Sequence, residues 1–344
     1  MKKQSKLLAL LLACAMTLAL SACGGSSATT STPASSAAPS AFGSAAATGD
    51  KTYTIGICQL VQHNALDAAT KGFKDALTEK LGDKVKFDEQ NAAGDSAACT
   101  TICNQFVSSN VDLIMANATP ALQAATAATN SIPILGTSVT DYGTALSIAD
   151  WKGTTGTNVT GTADLAPLDK QAEMIKTLFP DKKNVGILYC SAEPNSKYQS
   201  TEITKYLTDA GYTCKEYTFA DSNDVAAVTK TACDESDVLY VPTDNTAASC
   251  AESINNIAEP AKVPIVAGES GICTGCGVAT LSIDYYDLGV VTGNMAYEVL
   301  VNGADPATTE IQFAPKTTYQ YMADRCEKLG VKVPSDYVAI EVEK

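Results

Sequence analysis

The pattern of apolar and polar positions changes period repeatedly along the chain, and each change marks an element. Residues 53–60 form a β-rich run, 66–81 carry helical spacing, and 84–88 read as a short second strand. A helix, a strand and a helix follow at 97–107, 111–116 and 120–129, then a strand at 132–136. The second half repeats the plan, with strands at 184–189, 213–219, 237–241 and 264–267 and helices at 197–209, 224–232 and 247–258. Landmarks recur at near-constant offsets. Ile55-Gly56-Ile57 matches Val185-Gly186-Ile187 at 130 residues, Asp112 matches Asp237 at 125, and Ile132-Pro133-Ile134 matches Val263-Pro264-Ile265 at 131. One βα plan has been used twice. Strands that alternate with helices, several of them continuous apolar runs, require parallel sheets covered on both faces. Two α/β lobes are therefore expected.

In an open parallel sheet the ligand lies beyond the carboxyl ends of the strands. Two lobes that face one another there bring their strand-end loops to a single cleft. The loops at 59–63, 117–120, 137–141, 191–196, 242–246 and 268–270 are polar where the strands that feed them are apolar.

Ahead of residue 53 the pattern is different. Lys2, Lys3 and Lys6 precede an apolar stretch at 7–20 that is too short to span a bilayer comfortably. It ends in Leu20-Ser21-Ala22-Cys23-Gly24, which resembles the bacterial lipobox, whose cysteine is lipidated and becomes the first mature residue. The alternative is a plain signal peptide with a chance cysteine. Residues 1–22 are thus expected to be a lipoprotein signal peptide, Cys23 the lipidation site, and 23–50 a lipidated, disordered tether of Gly, Ser, Ala, Thr and Pro. A flexible coil of that length reaches roughly 25–30 Å. The expected address is extracytoplasmic, lipid-anchored to the outer face of the cell membrane.

Composition narrows the function. The 344 residues, 45% apolar and 18% charged, sustain two cores. With 24 basic against 38 acidic residues the net charge is -14, which repels phosphate backbones and anionic headgroups and excludes a nucleic-acid binder. Removal of the leader leaves 21 basic residues and a charge of -17. The 12 cysteines fall far below the density of a disulfide scaffold. Free thiols are expected at Cys58, Cys190 and Cys233, where a buried thiol serves as a small hydrophobe. The single histidine, His63, excludes a centre built on several imidazoles.

The runs Ile55-Gly56-Ile57-Cys58-Gln59, Ala116-Asn117-Ala118-Thr119-Pro120-Ala121, Asn158-Val159-Thr160-Gly161-Thr162, Ser191-Ala192-Glu193-Pro194-Asn195-Ser196 and Pro242-Thr243-Asp244-Asn245 resemble the substrate-binding lipoproteins of ABC transporters assigned to tryptophan and tyrosine uptake. The resemblance covers about residues 51–344. It implies two Rossmann-like lobes of the periplasmic-binding-protein type I kind, joined by three crossovers, with a cleft between the lobes. Residues 51–161 would form the N-terminal lobe, to which about 287–312 return, and 162–286 the C-terminal lobe, to which about 313–344 return. The resemblance also implies an aromatic amino acid as ligand, delivered to an ABC permease and its ATPase subunits. One departure is the Cys-rich run 271–277.

A zwitterionic amino acid needs an anion site, a cation site and a side-chain pocket. Thr119 before Pro120, and Asn195-Ser196 after Pro194, read as helix starts whose free N–H groups suit a carboxylate. Ala118, Thr140 and Asn245 stand in the same strand-end loops. Asp141, Asp244 and Glu269, each directly after a strand, are the candidates for the ammonium group. Gln59, Val61, His63 and Tyr285, with Tyr286 beside it, are the candidates for the side-chain pocket. The lone arginine, Arg325, lies far along the chain from these loops, so no bidentate carboxylate clamp is expected.

Cys273 and Cys276 have redox spacing, but the glycines at 271, 275 and 277 suggest a loop. Zinc would need two further ligands, so a local disulfide or two free thiols is expected, with no metal and no cofactor. An enzyme on the same fold finds no Gly-rich dinucleotide fingerprint and no P-loop. The expectation is a binding protein rather than an enzyme. The alternatives are a binding protein for a branched-chain amino acid, nucleoside or sugar, and a sensory ligand-binding domain.

Overall fold

A computed structural model describes residues 51–341; the leader, Cys23 and the tether lie outside the described residues. The first lobe comprises β1 (Tyr53–Gln59), α1 (Asn64–Leu81), β2 (Val85–Asn91), α2 (Ser96–Ser108), β3 (Leu113–Asn117), α3 (Thr119–Ala128), β4 (Ile134–Val139), α4 (Tyr142–Leu146) and β5 (Val159–Ala163). The second comprises α5 (Leu168–Leu178), β6 (Asn184–Cys190), α6 (Pro194–Asp209), β7 (Thr213–Phe219), α7 (Val225–Glu235), β8 (Val238–Val241), α8 (Asn245–Ser249), α9 (Ala251–Ala261), β9 (Ile265–Ala267), α10 (Ser270–Cys276) and β10 (Ala279–Ile283). The chain then supplies α11 (Tyr285–Asn302) and β11 (Gln312–Phe313) to the first lobe. It ends with β12 (Thr317–Tyr321), α12 (Ala323–Leu329) and β13 (Val338–Ala339) in the second.

The sheets run β11-β5-β4-β3-β1-β2 and β13-β12-β10-β9-β8-β6-β7. Pairing is parallel throughout except between β10 and β12. Every residue of β3 and β4 is buried, as central strands covered on both faces must be. These are two Rossmann-like lobes of the type I periplasmic-binding kind, and each sheet carries an apolar cluster on either face. No helix among the described residues is long and apolar enough to cross a membrane.

Three passages join the lobes: after β5, between β10 and α11, and between β11 and β12. Ala163 still pairs with Val139 and with Phe313, so the first and last passages lie one or two residues beyond the boundaries expected at 161 and 312. The second passage is held by α11, which packs closely along α1. A Cβ on Gly289 would stand 2.1 Å from the Ala69 carbonyl oxygen, and one on Gly72 would stand 2.1 Å from that of Tyr286. The backbones meet there because neither glycine has a side chain.

Two local expectations change. Residues 271–277 are not a loop: the Glu269 carboxylate accepts from the N–H groups of Gly271 and Ile272 and starts α10. At the other end the Arg325 guanidinium donates to the carbonyls of Cys273, Thr274, Gly275 and Gly277 at 2.5–3.2 Å. Both ends of the helix are capped by side chains, which outweighs its glycines. The helix expected at 247–258 is two, α8 and α9, broken at Cys250. The ten cysteines of the described residues are free thiols, Cys58, Cys190 and Cys233 among them. Burial raises the Cys276 thiol to about 12, the opposite of a redox-active pair.

Candidate functional site

The carboxyl ends of both sets of strands meet in one cleft, and among the described residues two side-chain hydrogen bonds cross it. His63 Nε2 stands 3.3 Å from Asn245 Oδ1, and Gln199 Nε2 donates to Thr140 Oγ1 at 3.4 Å. Between the lobes lies a cavity of ≈ 260 Å³, walled by Leu60, Val61 and Pro120 on one side and Cys190, Glu193 and Asn245 on the other. The sheet orders set an axis along the cleft. The ends of β5 and β10 stand on the side where the chain passes between lobes, those of β1, β2, β6 and β7 on the far side beside the cavity, and those of β3 and β8 between.

The three carboxylates expected to meet an ammonium group are all helix caps. Asp141, half-buried, accepts from Thr144 N at 2.6 Å. Asp244, 1% exposed, accepts from Cys190 N, Ser196 Oγ and Ala247 N, each at 2.7 Å. Glu269 starts α10. Burial, and for Asp244 also the neighbouring Glu193 charge, pushes Glu269 up to about 7 and Asp244 up to about 8.

Gln59 is spent within its own lobe. Its amide donates to Val61 O and Asp67 Oδ1 and its oxygen accepts from Thr70 Oγ1. Thr119 is not the cap that its place before proline suggests. The cap of α3 is Ala118, which has no side chain for the task, so the helix opens uncapped with Thr119 and Pro120 in its first turn. The α6 start has no side-chain cap either; it opens at Pro194, with Asn195 and Ser196 in its first turn. Tyr286 is 37% exposed and its hydroxyl donates to Asp75 of α1.

Sequence reasoning missed Asp164, the first residue after β5. It is 3% exposed, accepts from Thr140 Oγ1 at 3.2 Å and from Tyr285 Oη at 3.0 Å, and is pushed up by burial to about 6. Its signal is its place, a carboxylate directly after β5, a strand absent from the elements read off the sequence. Glu193, also missed, is 3% exposed and receives five donors from Asn195, Asn245 and Thr246. None of Asp164, Glu193, Asp244 or Glu269 forms an ion pair among the described residues. His63 supplies no charge, since burial holds the ring below the usual imidazole range.

Four buried polar atoms without partners lie at the same strand ends. Asn117 gives both amide hydrogens to Leu66 O and Thr70 Oγ1, and Asn195 gives its own to Glu193, Ser196 and Thr243 O. In each the side-chain oxygen is buried and unpartnered, as are Ser138 Oγ and His63 Nδ1. Ala118 (φ 93) and Ser138 (φ 53) hold left-handed backbone conformations that L-residues rarely adopt.

The chain matches the family model described as ABC transporter substrate binding protein over residues 54–342. A tyrosine-binding protein of Clostridioides difficile (strain R20291) is 40% identical over 265 residues, covering 75% of this chain and 76% of that protein. The crystal structure of an ABC domain in complex with L-Trp from Streptococcus pneumonia is 34% identical, with a TM-score of 0.79 over 83% of this chain and 97% of that one. The ligand-free, open structure of a substrate binding protein with adhesive properties from Clostridium difficile is 36% identical, with a TM-score of 0.65 over 85% of this chain and 100% of that one.

Proposed function

The chain belongs to the ABC transporter substrate-binding protein family, and from that premise we propose that it captures an aromatic L-amino acid, tyrosine or tryptophan first, between its lobes. The observation that carries this reading is Asp164: a buried carboxylate directly after β5, among the strand ends that border the cleft, held by two neutral hydroxyls, with no basic side chain paired to it among the described residues. A buried charge demands a partner, and a ligand ammonium supplies one through charge-assisted hydrogen bonds. The same cleft offers a carboxylate the uncapped start of α3 and the first turn of α6, whose N–H groups and dipoles favour an anion without any arginine. A zwitterion satisfies both ends. A neutral sugar or nucleoside would leave Asp164 buried and uncompensated.

The axis of the cleft orients the ligand. Its ammonium belongs with Asp164 where the chain passes between lobes, its carboxylate at the ends of β3 and β6, and its ring in the ≈ 260 Å³ cavity against Leu60, Val61 and Pro120. His63 and Asn245 meet across the cleft from opposite lobes. The role is capture and release without turnover. The lipobox-like run Leu20-Ser21-Ala22-Cys23 after the leader supports a lipid anchor at Cys23 on the outer face of the membrane, from which the closed protein would hand its solute to a permease powered by ATPase subunits. Native mass spectrometry of the protein as purified, followed by calorimetry with L-tyrosine, L-tryptophan and L-phenylalanine, tests the ligand class. Binding of a neutral sugar with none of the three amino acids would overturn it.

A further inference from the structure

Gln199 of α6, 1% exposed, is used in an unusual way. Its Oε1 accepts from Thr243 N at 3.0 Å and its Nε2 donates to Thr243 O at 3.1 Å, so the side-chain amide pairs with one peptide unit as a strand would. The pairing fixes the loop after β8. The same Nε2 reaches Asn195 O at 3.3 Å and, across the cleft, Thr140 Oγ1 at 3.4 Å. Its two amide hydrogens therefore have acceptors inside the second lobe when the cleft opens, and gain a third only when it closes.

Thr140 is the other half of the device. A hydroxyl has one proton and can point it in several directions. Once its oxygen accepts from Gln199, its proton is directed to Asp164 Oδ1. We propose that Gln199 is a positioning residue that couples lobe closure to the Asp164 anchor by fixing the direction of the Thr140 hydroxyl. The inference rests on the reading of Asp164 as the ammonium anchor. Closure then strengthens Asp164 as an anion, and a ligand cation on Asp164 holds the relay that favours closure.

The test is the pH profile of affinity. The titratable groups facing Asp164 are Tyr285 of α11, Tyr142 of α4 and Glu269 at the start of α10. All remain in every variant below, so differences between profiles report the relay. Affinity for L-tyrosine is measured by calorimetry from pH 5 to 8 on the full mature chain and on Thr140→Val, Thr140→Ser, Gln199→Met and the Thr140→Val/Gln199→Met double variant. Affinity falls as pH drops through the titration of Asp164. Removing a hydrogen bond to the charged form moves that midpoint upward, by roughly one pH unit for Thr140→Val, whereas Thr140→Ser keeps the wild-type midpoint. Gln199→Met moves it in the same direction, and adds nothing in the Thr140→Val background.

A Gln199→Met profile that coincides with wild type, or a Gln199→Met shift as large in the Thr140→Val background as in the wild-type one, overturns the proposal. If Gln199→Met does not fold, the Thr140 pair decides: Thr140→Ser shifting as far as Thr140→Val overturns it, and Thr140→Val shifting alone supports it. Asp164→Asn separates the two claims. Unchanged affinity in that variant sinks the anchor itself, whereas loss of affinity with additive Gln199 and Thr140 effects sinks only the relay.

Discussion

Asp164 carries the weight at the scale of single residues. Asp164→Asn keeps the shape but removes the charge and makes one of the two hydroxyls, Thr140 or Tyr285, accept where it donated, and should weaken amino-acid binding by about 100-fold, the worth of a desolvated charge pair. Titration calorimetry reads this directly, and a loss under about threefold would contradict it. The same buried acids set the pH dependence of stability. Asp164 rises from 3.8 to about 6, Glu269 from 4.5 to about 7 and Asp244 from 3.8 to about 8. Between pH 4 and 8 the folded protein thus holds protons that the unfolded chain has released, so its stability falls as pH rises through this window. His63, held neutral, acts in the opposite sense near pH 6.5 but is one group against three. The thermal midpoint of the ligand-free protein should drop by roughly 5 °C or more from pH 5 to pH 8, and the gain on adding ligand should be larger at pH 8. A midpoint that rises over this range would exclude these acids as a controlling term.

Residue types at strand ends were legible in the sequence; what each side chain bonds was not. Asp141, Asp244 and Glu269 stand where expected, yet each caps the helix that follows it. The preference of Asp and Glu for helix starts and for ligand cations is the same preference for positive partners. Only burial and the surrounding donors tell them apart, and both are tertiary facts.

At the scale of elements, α10 shows how side chains from elsewhere make a helix. Its seven residues contain two glycines, and local propensity argues against it. Arg325 of α12 compensates by donating to four carbonyls at its end. Arg325→Met should destabilise the protein by about 3 kcal/mol, because buried carbonyls lose charged donors. Urea denaturation measures this, and an unchanged midpoint would show the clamp to be dispensable. The helix α11 went unread for a related reason. Val290, Val291 and Thr292 favour strand locally, and Gly289 and Gly293 favour neither state. The helix exists because α1 accepts its glycine face at backbone distance. Helices with clear apolar spacing, such as α1 and α6, needed no such context and were placed within a few residues.

At the scale of the whole molecule, the duplicated pattern already contained two lobes, because each strand and helix carries its own periodicity. The return of the chain to the first lobe lay outside that pattern, since β11 has two residues and β13 two. Three passages allow bending about the cleft and forbid separation of the lobes. Two long interlobe hydrogen bonds, at 3.3 and 3.4 Å, are little to hold the cleft shut, so the ligand itself must supply most of the closing free energy. Small-angle scattering should accordingly show the radius of gyration contract when L-tyrosine saturates the protein. An unchanged radius at saturation would mean that the lobes close unaided.

Calorimetry with L-tyrosine beside two analogues, one lacking the amine and one lacking the carboxylate, tests the zwitterion site directly. If Asp164 meets the ammonium and the starts of α3 and α6 meet the carboxylate, each analogue should bind at least about 100-fold more weakly than the amino acid. A deaminated acid that binds as tightly as L-tyrosine would contradict the account.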